Sequence, residues 1–248
     1  MKVLIATFDT YTAQARKEYP MSKKPRPSSG RTFAAIVTVI AVILLAIILV
    51  GNFSGGSSNN SGGSSGESIE TSGQPLKGDE EAPVTIVEFG DYKCPACKNF
   101  HESVVPEIES QFIDSGDAAF HYVHYPFLSE DSTTAAEFSE AVYGELGDEA
   151  FWSFHDTLFA NQPQNEGGNY FDQERLRELL QETASEEEVT TVVEAFENGT
   201  YEEEVENDRS MAEDLGVNST PSVFVNGELF EGDSYQELLD MIEEEAGE

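Results

Sequence analysis

The chain has 248 residues, room for one or two domains, and a formal net charge of −35 at pH 7, from 48 acids against 13 Lys and Arg. This balance excludes a nucleic-acid-binding surface. Two cysteines in the whole chain, with no second pair, leave a four-ligand zinc site incomplete, and the four histidines (His101, His121, His124, His155) show no ligand spacing.

The charge is unevenly spread. Residues 1–32 form a basic segment: seven of the 13 Lys and Arg lie there, with only Asp9 and Glu18 as acids. The rest of the chain keeps 46 acids and six bases. Lys23, Lys24, Arg26 and Arg31 cluster just ahead of an apolar run, and Met21 offers a second start. Phe33 to Val50 carries no charge, and Thr38 is its single polar residue. At about 1.5 Å per residue it nearly spans a hydrocarbon core of about 30 Å. A cleaved signal peptide has a shorter apolar region and a small-x-small site. Leu49-Val50-Gly51-Asn52-Phe53 is a poor cleavage site, so 33–50 reads as an uncleaved transmembrane anchor. The basic flank places the N-terminus in the cytoplasm and the remainder outside. Residues 51–75, rich in Gly and Ser, read as a flexible tether, and 76–248 as the folded domain.

Val84-Thr85-Ile86-Val87-Glu88-Phe89 is rich in β-branched and aromatic residues and predicts a strand. Gly90-Asp91-Tyr92-Lys93 breaks it. Cys94-Pro95-Ala96-Cys97 follows, and then Lys98 to Phe112 with Phe100, Val104, Val105, Ile108 and Phe112 near helical spacing. Pro106 predicts a kink or break there. Pro95 suits the first turn of a helix.

A helix N-terminus offers free N–H groups and a positive dipole end, which favour a thiolate. Cys94, at the very start, is the expected exposed nucleophile, and Cys97, one turn in, the shielded resolving thiol. The i, i+3 spacing puts both on one face, within reach of a disulfide. Such a pair can cycle between dithiol and disulfide. The alternatives are half a zinc site, which lacks its other ligands, and a static bridge, whose loop is too small to stabilise much. Lys93 and Lys98 flank the motif as rare local cations. Glu88 sits mid-strand in an apolar run. If buried, its pKa rises and it can exchange the Cys97 proton; if not, it faces solvent.

Ala118 to Phe127 predicts a second strand, ended by Pro126, with His121 and His124 on opposite faces as structural residues. Helical patterns then cover 133–145, 148–160, 172–182, 186–197 and 201–215. His155 reads as a packed helix residue among Phe151, Trp152, Phe154 and Phe159. Ser222–Val225 and Glu228–Phe230 flank Asn226-Gly227, a hairpin signal. Asp233–Glu245 closes the chain as a helix capped by Asp233 or Ser234. The runs Glu186–Glu188, Glu202–Glu204 and Glu243–Glu245 read as solvated helix faces.

With Gly216-Val217-Asn218-Ser219-Thr220-Pro221 before the hairpin, residues 76–245 resemble the DsbA-like branch of the thioredoxin superfamily. Three local matches carry the resemblance: Glu88 six residues before the first cysteine, Cys94-Pro95-Ala96-Cys97, and Thr220-Pro221 ahead of a strand and Asn-Gly. The resemblance implies an α/β thioredoxin-like core with an inserted helical domain at about 130–215, here preceded by the transmembrane helix. It also implies that Pro221 is cis and stands beside the cysteines, and that Glu88 lies buried beneath them. Pro221 has no N–H and leaves the neighbouring chain edge free for a substrate backbone; an ordinary turn proline is the alternative. Cys94, Cys97, Glu88 and Pro221 are thus the expected catalytic residues, with Thr220, Pro95 and Ala96 contacting substrate. The dipeptide Pro-Ala departs from the Pro-His of the best-known oxidase.

The function implied is an extracytoplasmic thiol:disulfide oxidoreductase introducing disulfides into cysteine-containing secreted or surface proteins. It needs no cofactor or metal beyond the Cys94–Cys97 disulfide, and a membrane thiol-oxidising protein is its possible partner. A reductase or isomerase, or a non-catalytic membrane-tethered binding module, are the alternatives.

Overall fold

The structure, a computed structural model, describes residues 69–163 and 168–247. The described residues all fall within one compact unit. The basic segment, the 33–50 anchor and most of the 51–75 tether lie outside the described residues. Among those described, no helix is long and apolar enough to cross a membrane.

Five strands form one mixed sheet. They are β1 (Leu76–Gly78), β2 (Val84–Gly90), β3 (Ala118–His124), β4 (Ser222–Val225) and β5 (Glu228–Leu229), in the spatial order β1-β3-β2-β4-β5. β2 and β3 run parallel, with Glu88 opposite Tyr122; the other pairs are antiparallel. The two central strands are buried along nearly their whole length, so they read as near-continuous apolar runs. The side-chain period of two still sorts their residues. Val84 and Ile86 join Phe120, Tyr122, Val223 and Val225 in the larger core, while Val87 and Phe89 join Val123, Phe224, Ala212 and Val217 on the other face. Glu88 shares the parity of Ile86, so it points into the larger core, the one that holds Cys97 and Phe100.

The helices are α1 (Pro95–Ser103), α2 (Val105–Ile108), α3 (Glu130–Leu146), α4 (Asp148–Ala160), α5 (Gln173–Leu180), α6 (Glu186–Glu197), α7 (Glu202–Asp214) and α8 (Tyr235–Ala246). α3 to α7 form the insertion between β3 and β4. The helical run predicted over 98–112 breaks at Pro106, as predicted: α1 ends at Ser103 with Val104 as its C-cap, α2 carries Pro106 in its first turn, and a wide turn follows over Glu109–Ile113. Pro106 cannot donate to the carbonyl four residues back, so the break falls just ahead of it. α3 begins three residues earlier than its apolar periodicity predicts, because Glu130 and Asp131 favour a first turn as acids without adding to the apolar period.

Two of the three glutamate runs open helices, and in the third Glu245 accepts from Asn226 Nδ2 at 2.7 Å. Glu186–Glu188 and Glu202–Glu204 occupy the first turns of α6 and α7, where the helix dipole favours anions. Ser185 and Glu188 close a reciprocal capping box at the start of α6. At the other end of the domain, Asn226 and Gly227 both take positive φ, 49° and 80°, as the tight hairpin requires. Ser234 caps α8.

Two features were not legible in advance. β1 is only three residues, yet Leu76 is held on both sides: its N–H donates to Asp148 Oδ1 at 2.6 Å and its carbonyl accepts from Trp152 Nε1 at 2.7 Å. Packing also begins upstream of Leu76. Ile69 lies against the smaller core, and Gln74 donates to Asp208 Oδ1 at 2.6 Å.

Gly90 ends β2 directly under the ring of Tyr122, and an added Cβ would fall 2.5 Å from Tyr122 Cε2 and Oη. Tyr122 is fully buried and has nowhere to retreat. Gly90→Ala is therefore expected to destabilise the domain by about 1–3 kcal/mol. Thermal melting should show a fall of about 2–4 °C per kcal/mol; an unchanged melting temperature would contradict this packing.

Candidate active site

The end of β2 hands over to α1 through a short turn whose backbone is closed locally. Cys94 N donates to the Asp91 carbonyl at 2.9 Å, and Lys93 N donates to Asp91 Oδ1 at 2.8 Å. Cys94 is the N-cap of α1 and Pro95 its first residue. Pro95 and Ala96 are exposed, as substrate-facing residues would be.

Cys94 is 7% exposed and Cys97 is fully buried. The predicted order of accessibility holds, but Cys94 is far more covered than a residue at a helix start was expected to be. The reason is the loop before β4: the Cys94 thiol donates to the Thr220 carbonyl at 3.2 Å. The Thr220–Pro221 peptide bond is cis. Residues 126 apart in sequence thus form one surface, with Thr220 and Pro221 half-buried beside the sulfur.

The two thiols are pushed in opposite directions. Cys94 is lowered to about 6, first by the Cys97 thiol donating to it. Burial opposes that; the Thr220 side chain and the N–H groups of Cys97 and Ala96 add to it. These N–H groups are the free donors of the first helical turn. Cys97 is pushed well up by burial, then by its bond to Cys94 and the nearby charges of Glu88 and Cys94. Glu88 is fully buried, which excludes the solvent-facing alternative. Burial, then the charge of Cys94, raises its carboxyl well above the usual range. Neither carboxyl oxygen has a hydrogen-bond partner among the described residues, as suits a neutral acid.

The flanking lysines are not free local cations. Lys93 turns into the interior, where Nζ lies 2.8 Å from Asp131 Oδ2, and Lys98 pairs with Glu102 at 3.5 Å. Neither cation is among the main causes that lower Cys94. Hydrogen bonds within a few ångströms do so instead. His155 is a packed residue, as read from its neighbours, though with a polar partner: Tyr92 Oη and His155 Nδ1 are 3.0 Å apart. Burial drives its pKa well down, so the imidazole is neutral. Among the described residues, no group of three or more His, Cys, Asp or Glu is arranged to hold a metal ion.

Sequence reading missed the residues that hold the turn from the insertion side. Gln162 Nε2 donates to the carbonyls of Tyr92 at 2.8 Å and Cys94 at 3.0 Å. Asp91 Oδ2 accepts from Phe127 N at 3.1 Å and Leu128 N at 3.2 Å. Asp91, two residues before Lys93, carried a signal in its tendency to bond backbone two residues on. Gln162, in a loop 68 residues past Cys94, carried none.

The thioredoxin family model matches residues 70–244. Disulfide bond formation protein D of Bacillus subtilis (strain 168) is 38% identical over 174 residues, covering 70% of this chain and 77% of that protein. The probable disulfide bond formation protein D of Bacillus anthracis is 32% identical over 203 residues, covering 82% and 91%. The crystal structure of oxidised BdbD from Bacillus subtilis superposes with a TM-score of 0.68 at 34% identity, covering 74% of this chain and 98% of that one. The chain belongs to the DsbA-like thiol:disulfide oxidoreductases of the thioredoxin family. Its activity is exchange between dithiol and disulfide, which sets aside the non-catalytic binding module.

The Cys94 shift has a consequence for stability with a definite sign. An unfolded thiol titrates near 9. Between about 6 and 9 the folded dithiol therefore holds fewer protons than the unfolded chain, and its stability rises with pH. That gain is lost as pH falls through about 6. The disulfide form has no such thiol, whereas buried groups elsewhere, such as Asp208 at about 7, are common to both forms. Melting reduced and oxidised protein in parallel from pH 5 to 8 is expected to shift the difference steadily in favour of the reduced form. A pH-independent difference would show that Cys94 is not held low.

Proposed function

We propose that this protein is an extracytoplasmic oxidase, tethered to the membrane through residues 33–50, that introduces disulfides into cysteine-containing secreted or surface proteins. The observation that carries the reading is the Cys94 sulfur, held at about 6 by donors that act on its thiolate. Whatever stabilises the thiolate stabilises the reduced form and makes the disulfide the better oxidant. Support also comes from relatives whose names describe disulfide bond formation.

The steps assign a role to each residue. A substrate thiolate attacks Cys94 of the Cys94–Cys97 disulfide; the S–S bond breaks and Cys97 departs with the electron pair. Glu88, neutral because it is buried, gives Cys97 a proton. The second substrate thiolate then attacks its own mixed-disulfide sulfur and releases Cys94 as a stable thiolate. The substrate loses two electrons and the protein gains them. Thr220, Pro221, Pro95 and Ala96 line the sulfur and receive the substrate chain. Returning the dithiol to disulfide requires an electron acceptor, which a membrane thiol-oxidising partner supplies. No further cofactor or metal enters the cycle, and no nucleic acid is a partner.

Equilibration with glutathione buffers, followed by alkylation and mass measurement, tests the direction. The expected potential is more oxidising than thioredoxin's value of about −270 mV. A value at or below that would make this a reductase. Topology is tested separately: protease added outside intact cells is expected to remove the catalytic domain, and full protection would refute the extracytoplasmic placement.

A further inference from the structure

Lys93 immediately precedes Cys94 and is one of only six bases beyond residue 31. Lysine is ordinarily among the most exposed residues. Here both Lys93 and Asp131 keep only 2% of their side chains exposed, with Nζ and Oδ2 2.8 Å apart. Nζ also donates to the Gly168 carbonyl at 2.8 Å.

Asp131 lies in the first turn of α3 and gathers more than the lysine. Its Oδ2 accepts from Tyr170 N at 2.7 Å and Phe171 N at 3.3 Å, and its Oδ1 accepts from Ser129 Oγ at 2.6 Å. The pair therefore ties three stretches together: the turn that carries the attacking sulfur, the start of the insertion, and the loop segment 168–171 leading to α5. Burial pushes the Asp131 carboxyl up, but its donors, Lys93 first, outweigh that and hold it at about 2.

A buried ion pair is a weak device for stability alone, because desolvating two charges costs about what their attraction returns. This one is formed by the residue next to Cys94 in the chain. A lone cation next to Cys94 would favour the thiolate, and a lone anion would oppose it. Paired, they do neither. We propose that the buried Lys93–Asp131 ion pair is a positioning element of the exchange reaction: it fixes the Cys94 turn to the insertion while keeping the charge beside the attacking sulfur neutral. The proposal rests on Cys94 being the attacking thiol.

The test uses the reduced full-length chain. The pH midpoint of Cys94 alkylation is read by mass, alongside the rate of oxidising a two-cysteine peptide. In the unsubstituted protein Cys94 must alkylate before Cys97; the reverse order removes the assignment the proposal rests on and the proposal with it. Asp131→Asn leaves the cation and is expected to lower the Cys94 midpoint, by up to about one pH unit. Lys93→Met leaves the anion, which Ser129, Tyr170 and Phe171 still hold ionised, and is expected to raise the midpoint. A purely structural role predicts the same direction for both, and that result would overturn the proposal. Because a stranded charge threatens folding, the double variant Lys93→Met/Asp131→Asn provides the second arm. It is expected to keep the wild-type midpoint but to oxidise the peptide about tenfold more slowly, since the turn is no longer fastened. Wild-type exchange by a folded double variant would show that the pair positions nothing.

Discussion

The structure depends on the contact between two sulfurs at the start of one helix. Cys97 can donate to Cys94 only because it lies one turn further in and keeps its own proton, and it keeps that proton because it is buried. The asymmetry needs a helix that begins at Cys94, a core that covers Cys97, and an acid that stays uncharged in that core. Each has a separate origin: Pro95 pre-sets the first turn, Phe100 and the strand residues pack over Cys97, and Glu88 is neutral because it shares that core.

The insertion does more than enlarge the domain. The polar groups of the turn before Cys94 look outward for partners and find them there or in the loop leading to it: Asp91 with Phe127 and Leu128, Tyr92 with His155, Lys93 with Asp131, and the Tyr92 and Cys94 carbonyls with Gln162. An unmade hydrogen bond in the interior costs about 1–3 kcal/mol. The turn is therefore held by many partners at once, and a change in the insertion reaches the sulfur through them.

Electrostatics separate by distance. The domain surface is strongly negative, yet the forces that set Cys94 come from donors in direct contact, and the nearest cations are already matched by Asp131 and Glu102. Distant acids are screened within about 10 Å at ordinary ionic strength. An acidic protein can thus keep a thiolate without basic side chains around it. Six of the acids are also structurally placed, in the first turns of α6 and α7.

The sequence by itself determined the elements and the chemistry within one turn of the cysteines. The β-branched run to Phe89, Pro95 at the helix start, Asn226-Gly227 and the 3.6-residue periods over 148–160 and 186–197 are local signals, and each became the element they specify. The cysteine pair and its polarity followed from spacing and helix position. Only the tertiary structure decided what lies across from them. β1 has no pattern of its own and exists through Asp148 and Trp152. Lys93 reads as a free cation until Asp131, 38 residues on, is seen to hold it. Thr220 covers Cys94 from 126 residues away, which no period or composition reveals. Propensity acts over a few bonds, whereas burial, ion pairing and the cover on a sulfur depend on which distant segments the sheet order brings together.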